Sequence, residues 1–201
     1  MTGPGDIILA SASTVRRALL SAAGIDFTVE PSRVDEAIVK ESLAGEGASA
    51  DHVAEVLAEM KAVKISSRFP EAIVIGADQV LHCEGRHFDK PETMDEAKSH
   101  LQALAGKTHI LSTATVIARG GSAIWRHIER PKLTMRPMPD GAIDGYLARA
   151  GDGVLASVGA YQIEAFGVHL FARIEGDHYA IMGLPMLPLL QFLRDHGALD
   201  L

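Results

Sequence analysis

The run Ile73-Val-Ile-Gly-Ala-Asp78-Gln-Val-Leu81 is apolar, β-branched and of strand length, apart from one carboxylate. A strand buried in a core has no use for an unpaired charge, so Asp78 needs a cation, a proton or a metal beside it. As pure structure, Asp78 is a turn-forming residue ahead of a hairpin. As function, it is a ligand-handling residue at the carboxyl end of a strand, where open sheets present their sites. Asp89-Lys90-Pro91 lies a short way downstream, and Leu9-Ala-Ser11-Ala-Ser13-Thr-Val-Arg16-Arg17 stands near the N-terminus. Hydroxyls, cations and acids around one strand end are the inventory for a phosphate ester and a divalent ion.

On the N-terminal side, residues 6–10 read as a short buried strand, followed by a Ser-Ala-Ser loop and a helix from Val15 to Ala23 that stops at Gly24. Phe27 to Pro31 suggests a second strand, and Asp35 to Leu43 a short helix before a Gly-rich loop. A longer helix runs from about Asp51 to Arg68 with Val53, Val56, Leu57, Met60 and Val63 as its apolar stripe, which leaves Lys61 bordering the inward face.

On the C-terminal side, Glu84-Gly85-Arg86 makes a turn, and Thr93-Met-Asp-Glu96 is a capping box opening a helix that ends at Gly106. Residues 108–119 and 123–138 are rich in β-formers and separated by the hairpin signal Gly120-Gly121-Ser122. Asp140 to Arg149 reads as a helix, 160–182 as two or three short strands, and Leu187 to His196 as a closing helix. Early alternation of strand and helix around a central long hairpin predicts a mixed α/β (α+β) architecture with helices flanking a mixed sheet. No repeat, low-complexity tract or linker divides it, so residues 1–201 read as one folded unit.

With 201 residues and 47% hydrophobic content, the chain can bury a real core. A net charge of -7 argues against a nucleic-acid footprint driven by counterion release and leaves room for a small anion held by a few local cations. Cys83 is the single cysteine, which excludes an internal disulfide and matches a reducing compartment. Without a long apolar stretch or a leader-like N-terminus, a soluble cytoplasmic protein with no membrane partner is expected.

Single motifs decide little. Gly106-Lys107-Thr108 resembles the end of a P-loop, but Leu101 stands where that loop requires its first Gly and a helix precedes it, which is a helix C-cap. His82, Cys83 and His87 form the nearest metal-like cluster without a second pair at zinc spacing, and no Gly-x-Ser-x-Gly elbow occurs. Ser11, Ser13 and Arg16 enter a helix N-terminus, either as an anion site or as an ordinary N-cap with solvated arginines.

Taken in order, the pieces become specific: Leu9-Ala-Ser-x-Ser-x-x-Arg16, Val34-Asp35-Glu36, Lys61-Ala62, Gly76-Ala-Asp78-Gln79, Lys90-Pro91, Leu104-Ala-Gly106-Lys-x-His109, Gly159-Ala-Tyr161 and Gly183-Leu-Pro185. This series resembles the Maf family of nucleoside triphosphate pyrophosphatases over nearly the whole chain. The resemblance implies a fold related to that of the inosine triphosphate pyrophosphatases, a cleft between two lobes, commonly a homodimer, and cleavage of a nucleoside triphosphate to monophosphate and pyrophosphate with Mg2+ or Mn2+.

By position, the resemblance makes Asp78 the catalytic acid that accepts a proton from water. Glu36 joins Asp78 in holding the metal, and Ser11, Ser13, Arg16, Lys61 and Lys90 bind substrate. Val15 stands where much of the family has arginine, Gln79 where the dTTP and UTP branch usually has Thr, and Glu164 where that branch usually has Gln. Together these three look like the branch acting on modified nucleotides, 7-methyl-GTP among them, although that branch often has Trp at the position of Val15. Phe88-Asp89-Lys90 also replaces the more usual Gly-Lys. The open alternatives are a dTTP/UTP pyrophosphatase, a sanitising enzyme for deaminated purines, and a nucleotide-binding regulator of cell division with little turnover.

Overall fold

A computed structural model describes residues 6–199. The elements run β1 (Ile7–Leu9), α1 (Thr14–Ala22), β2 (Thr28–Val29), α2 (Glu36–Gly45), α3 (Ala50–Ser66), β3 (Ile73–Cys83), β4 (Arg86–Phe88), α4 (Met94–Leu104), β5 (Thr108–Arg119), β6 (Ser122–Glu129), β7 (Lys132–Met135) and α5 (Asp140–Ala150). Short 3-10 turns then cover 151–170, followed by β8 (Phe171–Glu175), α6 (His178–Ile181) and α7 (Met186–Asp195). The strands form one sheet in the order β2-β1-β3-β5-β7-β8, with β4 added to β3 and β6 to β5. β1 is parallel to β2 and β3, whereas β3, β5 and their other partners pair antiparallel. The mixed α/β expectation holds.

Local chemistry explains most boundaries. Ser13, Asp35, Ser49 and Thr93 each cap a helix with a side-chain oxygen that accepts a backbone N–H. Only half of the Thr93 capping box closes as written, because the Glu96 carboxylate accepts from the Glu92 N–H at 2.8 Å, one residue before the cap. Gly120 and Gly121, with φ of 59° and 77°, make the two-residue turn that lets Arg119 face Ser122.

Four expectations change. β3 does not end at Asp78: it continues to Cys83, because residues 79–83 still find backbone partners on β5 and β4. Asp78 is instead level with the loop beyond the end of β1, whose last residue Leu9 pairs with Ile75. Residues 123–138 form two strands, not one. Pro131 has no N–H to donate, so the chain breaks there, and β6 and β7 pair with different halves of β5. Over 160–182 only β8 is a strand: Gly159 and Ala160 both take left-handed φ of 74° and 60°, which no strand accommodates. Finally, the buried face of α3 is Val53, Ala54, Leu57, Ala58, Lys61, Ala62 and Ile65, while Met60 is 40% exposed.

The rotated face of α3 follows from a close approach. A Cβ on Gly76 would lie 2.2 Å from the Ala58 carbonyl oxygen and 2.9 Å from the Ala62 Cβ, so only glycine lets α3 settle on β3 at that point. Small alanines on α3 and glycine on β3 fit one another sterically, and Lys61 is carried on the buried face towards Asp78. Among the described residues, no helix is long and apolar enough to cross a membrane.

Candidate active site

A cavity of about 780 Å3 opens where the β1–α1 loop, α2, α3, β3 and the 156–164 and 181–183 segments meet. Its floor is a charge cluster. Lys61 Nζ donates to Asp78 Oδ1 at 2.6 Å and reaches Glu36 Oε1, also at 2.6 Å. Lys61 and Asp78 are 7% and 6% exposed, so the pair lies in a low-dielectric setting where either partner alone would be costly. Burial pushes Glu36 upward, but Lys61, then Lys40 and Lys90, outweigh it and hold its carboxyl below the usual range. The Lys61 contacts at 2.6 Å run to Oδ1 of Asp78 and Oε1 of Glu36, and among the described residues no hydrogen bond engages Oδ2 of Asp78 or Oε2 of Glu36.

Arg16 closes the N-terminal wall. Its Nε donates to the Gly183 carbonyl at 2.7 Å, and one terminal nitrogen donates to the Ala77 carbonyl at 2.9 Å and to Ser11 Oγ at 3.2 Å. Burial lowers the Arg16 pKa, with Asp78 and Glu36 opposing that shift. Gly183 has φ of 97°, and a Cβ there would come within 3.2 Å of Arg16 Nε. The Gly183-Leu-Pro185 motif thus seats the arginine. Ser13 is the N-cap of α1, accepting the Arg16 N–H at 3.3 Å, while its hydroxyl proton and the first N–H groups of the helix stay at the cavity wall.

The opposite wall holds one charged group, Glu164, among neutral ones. Tyr161 lines the cavity, and its hydroxyl shares a 2.7 Å hydrogen bond with His109 Nε2 on β5. Burial lowers the imidazole to about 4 and pushes the phenol far above its ordinary value. Gln79 Nε2 lies 2.9 Å from the Ala180 carbonyl, 3.2 Å from that of Ile181 and 2.8 Å from Thr113 Oγ1. Two carbonyl acceptors fix that amide orientation, since a flipped amide would set oxygen against oxygen. What Gln79 can offer a ligand is its carbonyl oxygen. Glu164 and Val15 line the same cavity.

A family model described as Maf-like protein matches residues 6–196. A nucleoside triphosphate pyrophosphatase of Granulibacter bethesdensis is 49% identical over 193 residues, 96% of this chain and 98% of the relative. Another of that name, from Paramagnetospirillum magneticum, is 50% identical over 192 residues, covering 96% and 99%. A 7-methyl-GTP pyrophosphatase of Rhizobium meliloti is 48% identical over 194 residues, covering 96% and 98%. The chain belongs to the Maf family.

The Maf motifs scattered along the chain converge on this one cavity: Ser11, Ser13, Val15, Arg16, Glu36, Lys61, Asp78, Gln79, Lys90 and Glu164 all line it. Lys107 does not. It pairs with Glu84 at 2.8 Å on the surface, as a C-cap lysine would. Burial, then Arg16 and Lys61, lowers the Lys90 pKa, which shows that it shares the cations' field. Two contributors escaped the sequence reading. Lys40 was legible, since it follows Glu36 by four residues and shares its helix face. The His109–Tyr161 bond joins residues 52 apart, and no spacing rule connects them.

Proposed function

We propose that this Maf protein hydrolyses a nucleoside triphosphate to the monophosphate and pyrophosphate, with a modified purine nucleotide such as 7-methyl-GTP as the preferred substrate. One observation carries the reading: Asp78 and Glu36 converge on Lys61 at the floor of a cavity whose rim holds Arg16, Lys40 and Lys90. A triphosphate brings roughly four negative charges, and catalysis of phosphoryl chemistry is mostly positioning and charge neutralisation. Arg16 and Lys90 hold the phosphates, with Ser11, Ser13 and the α1 N-terminus as donors. Asp78, buried and oriented by Lys61, accepts the proton of the attacking water.

A divalent cation fits the donor set. Among the described residues no cluster of three or more His, Cys, Asp or Glu side chains could hold a metal alone. The free oxygens of Glu36 and Asp78 suit an ion that completes its shell with water and substrate phosphates, the habit of Mg2+ and of Mn2+ in such sites. When bound there, it would supply positive charge to the phosphate oxygens.

The base preference is supported by two acceptors, the Gln79 carbonyl oxygen and the Glu164 carboxylate, which suit the N–H donors of a guanine edge. A carboxylate also complements the cationic ring of 7-methylguanine. Relatives named 7-methyl-GTP pyrophosphatase at 48% identity agree with this choice. The protein acts in the cytoplasm as a homodimer. The test is a nucleotide panel with separate detection of pyrophosphate and orthophosphate, with and without excess chelator. Pyrophosphate is the expected product, abolished by chelator; orthophosphate alone, or full activity without metal, rejects the reading.

A further inference from the structure

Given the pyrophosphatase function proposed above, Lys40 is a cation at the cavity mouth still without a role. Lys40 follows Glu36 by one turn of α2, so the two side chains project from one face and both line the cavity. Its ammonium pairs with Asp89, from the segment between β4 and α4, which lines the cavity too. That carboxylate stands where the family more usually reads Gly-Lys. An unbalanced acid beside Lys90, at the entrance for a substrate of charge about -4, would repel it. Lys40 cancels that charge.

The other cations at the site are differently placed. Lys61 is locked between two acids, and Arg16 has donors committed to Gly183, Ala77 and Ser11. Lys40 has an exposed partner: the Asp89 side chain keeps 65% of its surface in water, and that of Lys40 keeps 29%. Exposed pairs are weak because water screens them and two long side chains must be held still. A polyphosphate offers more charge and several oxygens to the same ammonium.

We propose that Lys40 is a polyphosphate-binding residue held in reserve, kept at the cavity mouth by Asp89 in the free protein and taken over by the phosphate tail of a nucleoside triphosphate on binding.

A shared, competed-for lysine predicts opposite signs for its two partners. Affinity for an α,β-methylene nucleoside triphosphate, which cannot be cleaved at that bond, is measured by calorimetry, alongside KM and kcat for the hydrolysed nucleotide. Lys40→Met should weaken binding about ten-fold and act mainly on KM, and Lys40→Arg should recover most of the loss. Asp89→Asn should tighten binding, by up to about five-fold, because it frees Lys40 and removes a repulsive charge. If the pair is only a strap holding α2 to the β4–α4 segment, both single variants weaken binding and the exchanged pair K40D/D89K restores it. That outcome overturns the proposal, as does unchanged affinity in Lys40→Met. Both side chains reach solvent, so unchanged melting temperatures are expected for the single variants. A wild type that binds the analogue with these opposite shifts yet releases no pyrophosphate from any triphosphate would break the pyrophosphatase reading and leave this one standing.

Discussion

The two walls of the cavity are built from different physics. One consists of regular elements, α2, α3 and β3, and carries compensated charge in buried Lys61 and Asp78 and half-exposed Glu36. The other is formed by the irregular segment 156–164 backed by β5, and carries the neutral His109–Tyr161 hydrogen bond together with the Glu164 carboxylate. Charge on the first wall suits phosphates, which every nucleoside triphosphate presents alike. Backbone shape and the Glu164 carboxylate on the second suit a base, which differs between substrates. The division teaches that phosphate handling and base choice rest on different side chains, although Gln79 neighbours Asp78 on β3 and Val15 neighbours Arg16 on α1, and so the two can be broken separately.

The largest effect is expected on the charged wall. Asp78→Asn keeps the shape but would remove the proposed proton acceptor and metal-binding charge, so turnover should fall by at least about two orders of magnitude. A folded variant with near-normal rate would return Asp78 to a structural role. Melting curves on the same samples report whether the fold survives.

On the base side, Val15→Arg, Gln79→Thr and Glu164→Gln made together should shift preference from 7-methyl-GTP towards dTTP and UTP, by roughly ten- to a hundredfold. The substitutions belong together because groups in one pocket rarely act additively. A ranking that does not move, or a wild type that already favours dTTP, breaks the assignment to the modified-nucleotide branch while leaving the pyrophosphatase activity untouched.

The second wall should show itself in pH. His109 is fully buried, and burial holds its imidazole at about 4 in the folded protein. The unfolded chain takes up that proton near pH 6.5 and the folded one does not until about 4, so stability falls as pH drops through this window. The loss from this residue is at most about 3 kcal/mol. Denaturant midpoints measured from pH 7 to 4 should decline, and His109→Gln should flatten the slope. An equally steep decline in the variant would place the titration elsewhere, His82 and His100 being the other imidazoles that burial lowers.

The smallest effect separates two lysines that look alike in sequence. Lys90→Ala should weaken substrate binding and rate, whereas Lys107→Ala, outside the cavity and paired with Glu84 on the surface, should change kcat/KM less than about two-fold. Equal, large losses at both would restore Gly106-Lys107-Thr108 as a phosphate loop.

Some of this protein was legible from residue order alone, for a physical reason: the relevant forces act between near neighbours. The caps at Ser13 and Thr93, the Gly120-Gly121 turn and the apolar run of β3 depend on the few residues around them, and most helix and strand positions followed. The ordered motifs likewise named the residues that line the cavity, because each motif preserves its own local geometry. Tertiary structure decided the rest. Which face of α3 is buried depended on Gly76 meeting Ala58 and Ala62 across a helix–strand contact, and that contact turned Lys61 from a border residue into the partner of Asp78. That the chain turns at Gly159-Ala160, where strand was expected to begin, depended on Gly159, where a Cβ would sit 2.5 Å from Leu81 Cδ1, a neighbour far away in the chain. The Lys40–Asp89 and His109–Tyr161 pairs join residues 49 and 52 apart, and such contacts exist only once the sheet has brought their strands and helices together.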